Sequence, residues 1–518
     1  MGVEVELKLN ASARALRELE ALPWLRRLAA RDGERRTLVS VYFDTANAKL
    51  ARHGVTLRVR RDGAKRSGER IQTIKAGAAA AGAGAARAAG PFARPEWEAP
   101  IPSDRPVLAL AAHTALAPLL GPKSARKLQP VFETHIRRTI IPVRLARSDI
   151  ELAIDRGTIR AGGRTERVSE VELELKRGDP HGIVLLAQRI TKRCALRYGP
   201  LTKAERGYAL AHRIANRATG ATTPTLDKRS SAADAFQVIG FSCLRHLALN
   251  EDLVREGNPQ AIHQMRVGLR RLQAAIACFQ EMLADPESEH IRAESKWLRG
   301  ALGPARDLEV LIQESIAPLQ AAQPQRRELA ALRARIEVQR RRGLRLARSA
   351  VQSERYRRFV LATALWLAGG GWRTRRGTAP LRARRIVGLA RRILDHRTAR
   401  LRRKFRRVDM LSADQRHKLR IAAKQLRYAT EFFSSLFTAR QRQARRKQFS
   451  AILKSLQDDL GKLNDISVHG RIAQAEAARQ ASFALGLVAG REQTDVEPLL
   501  RAAKKAGSRL KKAPRFWR

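Results

Sequence analysis

From the N-terminus to about Arg213, apolar and polar residues alternate in short runs: VEVELKL, TLVSVYF, VTLRVRR, RIQTIKA, RRTIIPV, DIELAID and EVELELK. Strand side chains point to alternate faces, so these runs predict β-strands with one apolar and one polar face. In the first run Val3, Val5, Leu7 and Leu9 share one face, and Glu4, Glu6 and Lys8 share the other. Near the end of this half Glu170, Glu172 and Glu174 fall together in the same way, opposite Val171, Leu173 and Leu175. Arg58 with Arg60, Thr73 with Lys75, and Arg94 with Glu96 and Glu98 keep the same parity. Two stretches, SARALRELEALPWLRRLA and GIVLLAQRITKRCA, carry helical spacing instead. The Ala/Gly tract at 76–90 has no side chains with which to pack and predicts a loop between strands.

From about Ser231 the pattern turns helical, with long Leu/Ala/Arg segments and little Pro or Gly punctuation. The stretch RIANRATGATTPTLDKRSS joins the two halves, which gives expected domains at 1–213 and 231–518 with a linker at 214–230. A repeat is visible in the second half. IHQMRVGLRRLQAAIACF (262–279) overlays RHKLRIAAKQLRYATEFF (416–433), and LRGALGPARDLEVL overlays LQDDLGKLNDISVH, with Asp307 on Asp465. On a helix His263, Arg266 and Arg270 form one stripe, as do His417, Arg420 and Lys424, beside an apolar seam that includes Met265, Leu269 and Leu272. A structural role for each histidine, hydrogen-bonded to a carboxylate such as Asp307 or Asp465, fits the spacing as well.

Composition sharpens this picture. The 518 residues hold 102 Lys+Arg against 49 Asp+Glu, a formal charge of +53 that points to a polyanionic partner: nucleic acid, polyphosphate or an anionic membrane. Between Trp372 and Arg407 there are 15 Lys+Arg and a single acid, Asp395. Aromatics are only 5% of residues and do not interleave with the basic ones, so stacking on single-stranded bases has little support. Phosphates without bases fit better. Cys194, Cys243 and Cys278 form no CxxC pair, which argues against a disulfide framework or a structural zinc and for a reducing cytosol. No apolar run reaches about 18 residues and no leader pattern opens the chain, so neither a membrane span nor a secretory signal is expected.

If the strands close into an antiparallel barrel, the charged faces line its interior and the apolar faces pack outward under helices. An interior of mixed sign has a chemical use, because hard Mg²⁺ takes carboxylate oxygens while Arg and Lys take phosphate oxygens. The glycines of GAGAA lack the Lys-Ser/Thr ending of a phosphate-binding loop, and no Ser-His-Asp or Cys-His arrangement is recognisable.

The ordered set EVELK, YFDT, LRVR, TIK, RPEWE, AIDRG, SEVELELKRG and LTKAERGYAL resembles the CYTH family of triphosphate tunnel metalloenzymes over roughly residues 1–213. The resemblance implies Glu4, Glu6, Glu170, Glu172 and Glu174 as ligands of Mg²⁺ (or Mn²⁺). It implies Lys8, Arg58, Arg60, Lys75, Arg138 and Lys203 as catalytic contacts to the phosphates, with Glu96, Glu98 and Asp155 as further substrate-side tunnel residues. The repeated helical segments resemble the CHAD domain, a conserved-histidine α-helical domain, over roughly 231–475. That resemblance implies polyphosphate binding through His263, Arg266, Arg270, Arg271, His417, Arg420, Lys424 and Arg427.

The expected fold is therefore an α+β antiparallel barrel tunnel followed by an all-α helical-bundle domain with an internal duplication. The expected function is Mg²⁺-dependent hydrolysis of inorganic triphosphate, with polyphosphate as the second partner and nucleic acid bound only non-specifically if at all. Thiamine triphosphatase, an adenylate cyclase of the same barrel type, or a non-catalytic polyphosphate- or nucleic-acid-binding scaffold are the alternatives. Residues 1–213 are expected to suffice for the chemistry. The matching location is the cytoplasm, with polyphosphate granules as a further place of association.

Overall fold

Strand β1 (Gly2–Asn10) pairs antiparallel with β8 (Arg164–Arg177) on one side and with β5 (Ala93–Ile101) on the other, and these two pairings close a barrel. Between them run β4 (Arg70–Ala76), β3 (Val55–Asp62), β2 (Glu34–Thr45), β6 (Leu128–Leu145) and β7 (Ser148–Ala161), in the order β5-β4-β3-β2-β6-β7-β8. A two-residue strand, β9 (Arg197–Tyr198), adds to β1 at Leu9 and Asn10. This computed structural model describes residues 2–29, 33–62, 69–77, 93–121, 126–214, 217–405, 411–477 and 482–518. The predicted Ala/Gly loop lies outside the described residues from position 78 onward.

The alternation read from the sequence becomes inside and outside. Val5, Leu7 and Leu9 of β1 and Val171 and Leu173 of β8 are buried on the outer face, under Leu16 and Leu19 of the helix Ala13–Glu20 and Leu186 and Ile190 of the helix His181–Thr191. The first predicted helical stretch is two helices, because Pro23 starts a second one, Pro23–Leu28, where its missing N–H costs nothing. Val55, Leu57 and Val59 of β3 form a second outer cluster with Ile74 and Phe43.

The chain divides into two compact units, one comprising 1–217 with 357–373 and the other 218–356 with 374–518. Residues 357–373 therefore belong with the barrel, whereas the sequence grammar places them in the helical half. Leu361 and Leu365, each 4% exposed, join the core formed by β1, β7, β8 and the helix His181–Thr191. Gly369 sits so close that an added Cβ would lie 3.0 Å from Val184 Cγ2. A fragment ending at 213 would bare the surface that these leucines cover, and burying one leucine is worth about 1.5–3 kcal/mol. Such a fragment is expected to melt clearly below the same fragment supplied with a peptide spanning 354–374. Equal melting temperatures would mean that the segment is dispensable.

In the second unit the two aligned segments become the helices Pro259–Cys278 and Ala413–Phe432, capped by Asn258 and by a Ser412/Gln415 capping box. The second aligned pair diverges. In the first copy Pro304 opens a new helix, Gly303–Val310, after Pro286–Ala301, while the second copy has Lys462 there and runs unbroken through the helix Arg440–Ala477. A proline inside a helix removes a backbone bond and clashes with the preceding turn, so one substitution accounts for the break. Among the described residues no helix is long and apolar enough to cross a membrane.

Candidate functional site

The barrel interior gathers ionisable groups from seven of its strands. Arg138 on β6 donates to both oxygens of Asp155 on β7 (2.7 and 2.6 Å) and also to Glu172 on β8. Lys8 on β1 donates to Glu6 (2.6 Å) and to Glu172, its register partner on β8. Lys75 on β4 holds Glu4 (2.6 Å) and Glu96 (3.1 Å). Arg58 approaches Glu96 at 3.9 Å, and Glu98 takes Arg60 (3.4 Å) and the Thr73 hydroxyl (2.9 Å). The Arg58 Nε atom is buried with no hydrogen-bond partner among the described residues.

A helix completes the lining. Lys203–Ala211 starts at a Thr202/Glu205 capping box, and its first residue, Lys203, reaches Asp155 (2.7 Å), Glu172 (2.8 Å) and Glu170. Ala204 and Tyr208 pack with Tyr42 and Phe132, which lie at the same parity as the charged residues of β2 and β6 and stack at 4.3 Å. Gly207 is required there, since a Cβ would fall 2.2 Å from the Phe132 ring.

Burial opposes ionisation of Glu172, but Lys203, Lys8 and Arg138 outweigh it and hold the carboxyl well below the usual range. Burial likewise opposes the charge on Lys203, and Asp155, Glu170 and Glu172 overcome it, keeping the ammonium charged. Glu6 behaves differently: burial, and then the neighbouring Glu172 charge, push it up to about 7 against the pull of Lys8.

Asp155, Glu170 and Glu172 bring three buried carboxylate oxygens within 4.8 Å of one another, a set of hard oxygen donors that fits a hard divalent cation. Asp155, expected on the substrate side, thus joins the acidic group, because β7 and β8 pair Asp155 with Glu170 directly. Glu4, Glu6 and Glu174, implied as ligands, lie outside that group and are taken by Lys75, Lys8 and Lys176 respectively. Arg206 was not singled out from sequence, yet it bridges Glu166 (2.7 Å) and Glu170 (3.2 Å); its place three residues after Lys203, on the same helix face, was the available signal.

In the helical unit the basic stripes of the two repeats meet. Arg270 acts on the charge of His263 and Arg266 in its own helix, on Arg420 and Lys424 in the second repeat, and on Arg299. Burial and then Arg420 and Arg270 push Lys424 down to about 6, and burial with Arg306, Arg270 and Arg266 pushes His263 to about 4. The Nε atoms of Arg270 and Arg420 are buried with no hydrogen-bond partner among the described residues, while Arg427 Nε pairs with Glu431 (3.4 Å). Buried polar groups are normally satisfied, so this cluster is short of anionic oxygen.

Two expectations change here. Arg271 is 2% exposed and is spent on Glu431 (3.2 Å), the Thr222 carbonyl (2.9 Å) and the Phe432 ring, which leaves a phosphate no access to it. His417 meets the Asn464 side chain (2.6 Å) and not Asp465, while Asp307 pairs with Arg266 (3.2 Å) and not with a histidine. Arg299 and Arg306 are additions, and both lie in the LRGALGPARDLEVL segment of the repeat.

A closed antiparallel barrel with carboxylates and cations facing inward, followed by a duplicated helical unit with a shared basic cluster, defines a tunnel fold joined in one chain to a basic helical bundle. Residues 2–208 match the CYTH domain and residues 239–474 the CHAD domain, so the chain carries a CYTH domain followed by a CHAD domain. An inorganic triphosphatase of Haemophilus influenzae is 28% identical over 207 residues, 40% of this chain and 54% of the relative. An uncharacterized protein of Mycobacterium tuberculosis is 29% identical over 346 residues, 62% of each chain. The chain thus spans between half and two thirds of the length of these curated relatives. The CHAD domain of the plant Ricinus communis aligns over 56% of this chain and 96% of its own, at 29% identity and a TM-score of 0.49.

Proposed function

We propose that the barrel hydrolyses inorganic triphosphate in a metal-dependent reaction and that the helical unit binds inorganic polyphosphate. The observation that carries the first part is the buried group Asp155, Glu170 and Glu172 set beside Lys8, Arg138 and Lys203 inside a closed barrel. These carboxylates would hold Mg²⁺ (or Mn²⁺), which when bound supplies charge neutralisation at the phosphate oxygens. Arg58, Arg60 and Lys75 line the far side on β3 and β4 and would orient the remaining phosphates. Phosphoryl transfer asks mainly for positioning and charge compensation, so no protein nucleophile is required and water is the attacking group. The shared basic cluster of the helical unit supports the second part, since the Nε atoms of Arg270 and Arg420 have no hydrogen-bond partner among the described residues. A cytoplasmic location suits both ligands.

Phosphate release from tripolyphosphate, ATP and thiamine triphosphate, measured side by side with Mg²⁺ and again with a chelator, tests this reading. Tripolyphosphate should be the preferred substrate and the chelator should abolish release. Arg58→Ala should raise KM for tripolyphosphate about tenfold with a smaller change in kcat, as expected of a contact made equally in ground and transition states. Faster turnover of an organic triphosphate, or release that survives chelation, would overturn it.

A further inference from the structure

A second basic surface is built from segments other than the two repeats. Three segments of the helical unit, the helix Ile386–Lys404, residues 440–449 and residues 498–518, carry seven, five and eight Lys+Arg respectively and one acid, Asp395. They are distant in sequence and meet around an aromatic hub. Phe449 contacts Phe516 (5.9 Å between ring centroids) and Trp517 (5.2 Å), Arg391 donates to the Trp517 carbonyl (3.0 Å), and Arg402 donates to the Leu510 carbonyl (2.8 Å). The single acid is already neutralised, by Arg515 (2.9 Å), Arg518 (3.1 Å) and the Trp517 indole N–H (3.0 Å).

Ten of the other cations point outward. Arg392, Arg400 and Arg403, Arg440, Arg445 and Lys447, and Lys505, Arg509, Lys511 and Lys512 are all exposed, whereas Phe405, Phe449, Phe516 and Trp517 are buried. The surface can therefore meet phosphates but, among the described residues, offers no exposed Phe, Tyr or Trp on which to stack a base. Its cations come from three separate segments and so spread over a broad face. A thin single chain of phosphates touches only part of such a face. A duplex presents two phosphate rows at once, separated by grooves of about 6 and 12 Å, and is wide enough to cover it.

We infer that this face binds double-stranded nucleic acid through its phosphates, without reading sequence. The binding is independent of the basic cluster shared by the two repeats, so the chain can hold a duplex and a second polyanion together. Solvent-exposed cations on rigid helices act by releasing condensed counterions, which makes the affinity steeply salt-dependent.

The test is fluorescence anisotropy of the full-length protein with a short blunt-ended DNA duplex of arbitrary sequence, repeated over a range of salt concentrations. The quadruple change Arg392→Ala, Arg403→Ala, Lys505→Ala and Lys512→Ala should weaken duplex binding at least tenfold. It should also flatten the salt slope by about 3–4, since each lost phosphate contact removes about 0.9. Gln at the same four positions keeps the aliphatic stems and should give the same result, with circular dichroism confirming the fold. Arg270→Ala with Arg420→Ala should leave duplex binding within about twofold of the unmodified protein. The inference falls if the unmodified protein does not bind the duplex, or if both variant sets weaken it equally, which would mean diffuse attraction. It also falls if the quadruple change weakens long-chain polyphosphate more than duplex, which would make this face a polyphosphate surface.

Discussion

Glu172→Gln should lower kcat/KM for tripolyphosphate by about 100-fold or more while leaving the barrel folded. Glutamine keeps the volume and one acceptor oxygen but removes the charge on which Lys8, Arg138 and Lys203 converge and which completes the group with Asp155 and Glu170. The same substitution at Glu4, whose carboxylate is held by Lys75 outside that group, should cost less. Steady-state phosphate release for both variants, with far-ultraviolet circular dichroism as the check on folding, decides the order. If Glu4→Gln is the more damaging, the metal draws on Glu4 of the wider set Glu4, Glu6, Glu170, Glu172 and Glu174 that the family resemblance implies, and the assignment to the β7/β8 group is wrong.

The second large effect belongs to the helical unit. Arg270→Ala with Arg420→Ala removes one cation from each repeat, and each charge-assisted hydrogen bond contributes about 1.5–3 kcal/mol, so long-chain polyphosphate should bind at least about 100-fold more weakly. The charge-matched control is Arg384→Ala with Arg400→Ala, both exposed; Arg402 is unsuitable because it ties Leu510. Equal losses would mean that charge, not a site, holds the polyphosphate.

A pH arm follows from Lys424, which burial and its cationic neighbours push down to about 6. Above that value the free site holds Lys424 largely neutral, and a bound polyanion must restore the proton. Affinity should therefore fall as pH rises through about 6 and above. The sign for stability is the reverse: a lysine with a depressed folded pKa costs stability while the unfolded chain keeps its proton, so the free unit gains stability as pH rises from about 6. Lys424→Arg, which stays charged, should flatten the affinity profile, and an unchanged slope would remove Lys424 from the account.

Much of this was legible in the chain. The period-2 alternation of VEVELKL and EVELELK placed Glu4, Glu6, Lys8, Glu170 and Glu172 inside and Leu7, Leu9 and Leu173 outside, because strand parity is a local property of consecutive residues. Helical spacing likewise put His263, Arg266 and Arg270 on one stripe. Arg271, the next residue, shows where that reasoning stops. It lies about 100° round the helix from that stripe, and spacing alone does not say what covers it; packing against Glu431 and Phe432 buries it.

Local pattern sets the faces: which side chains look into the barrel, which helix stripes are basic, and where the grammar changes from strand to helix. Tertiary structure alone decided the partners. The register of β7 on β8 sets Asp155 against Glu170, although the two are 15 positions apart and neither alternation marks the other. The stripes of two repeats some 150 residues apart converge on Arg270 and Lys424, an aromatic hub draws three distant basic segments together, and residues 357–373 return to the barrel through Leu361 and Leu365. The physical reason is the same in each case. Periodicity is written by neighbours along the chain, whereas register and packing are settled by which apolar surfaces can be buried together, and burial is non-directional and indifferent to sequence distance.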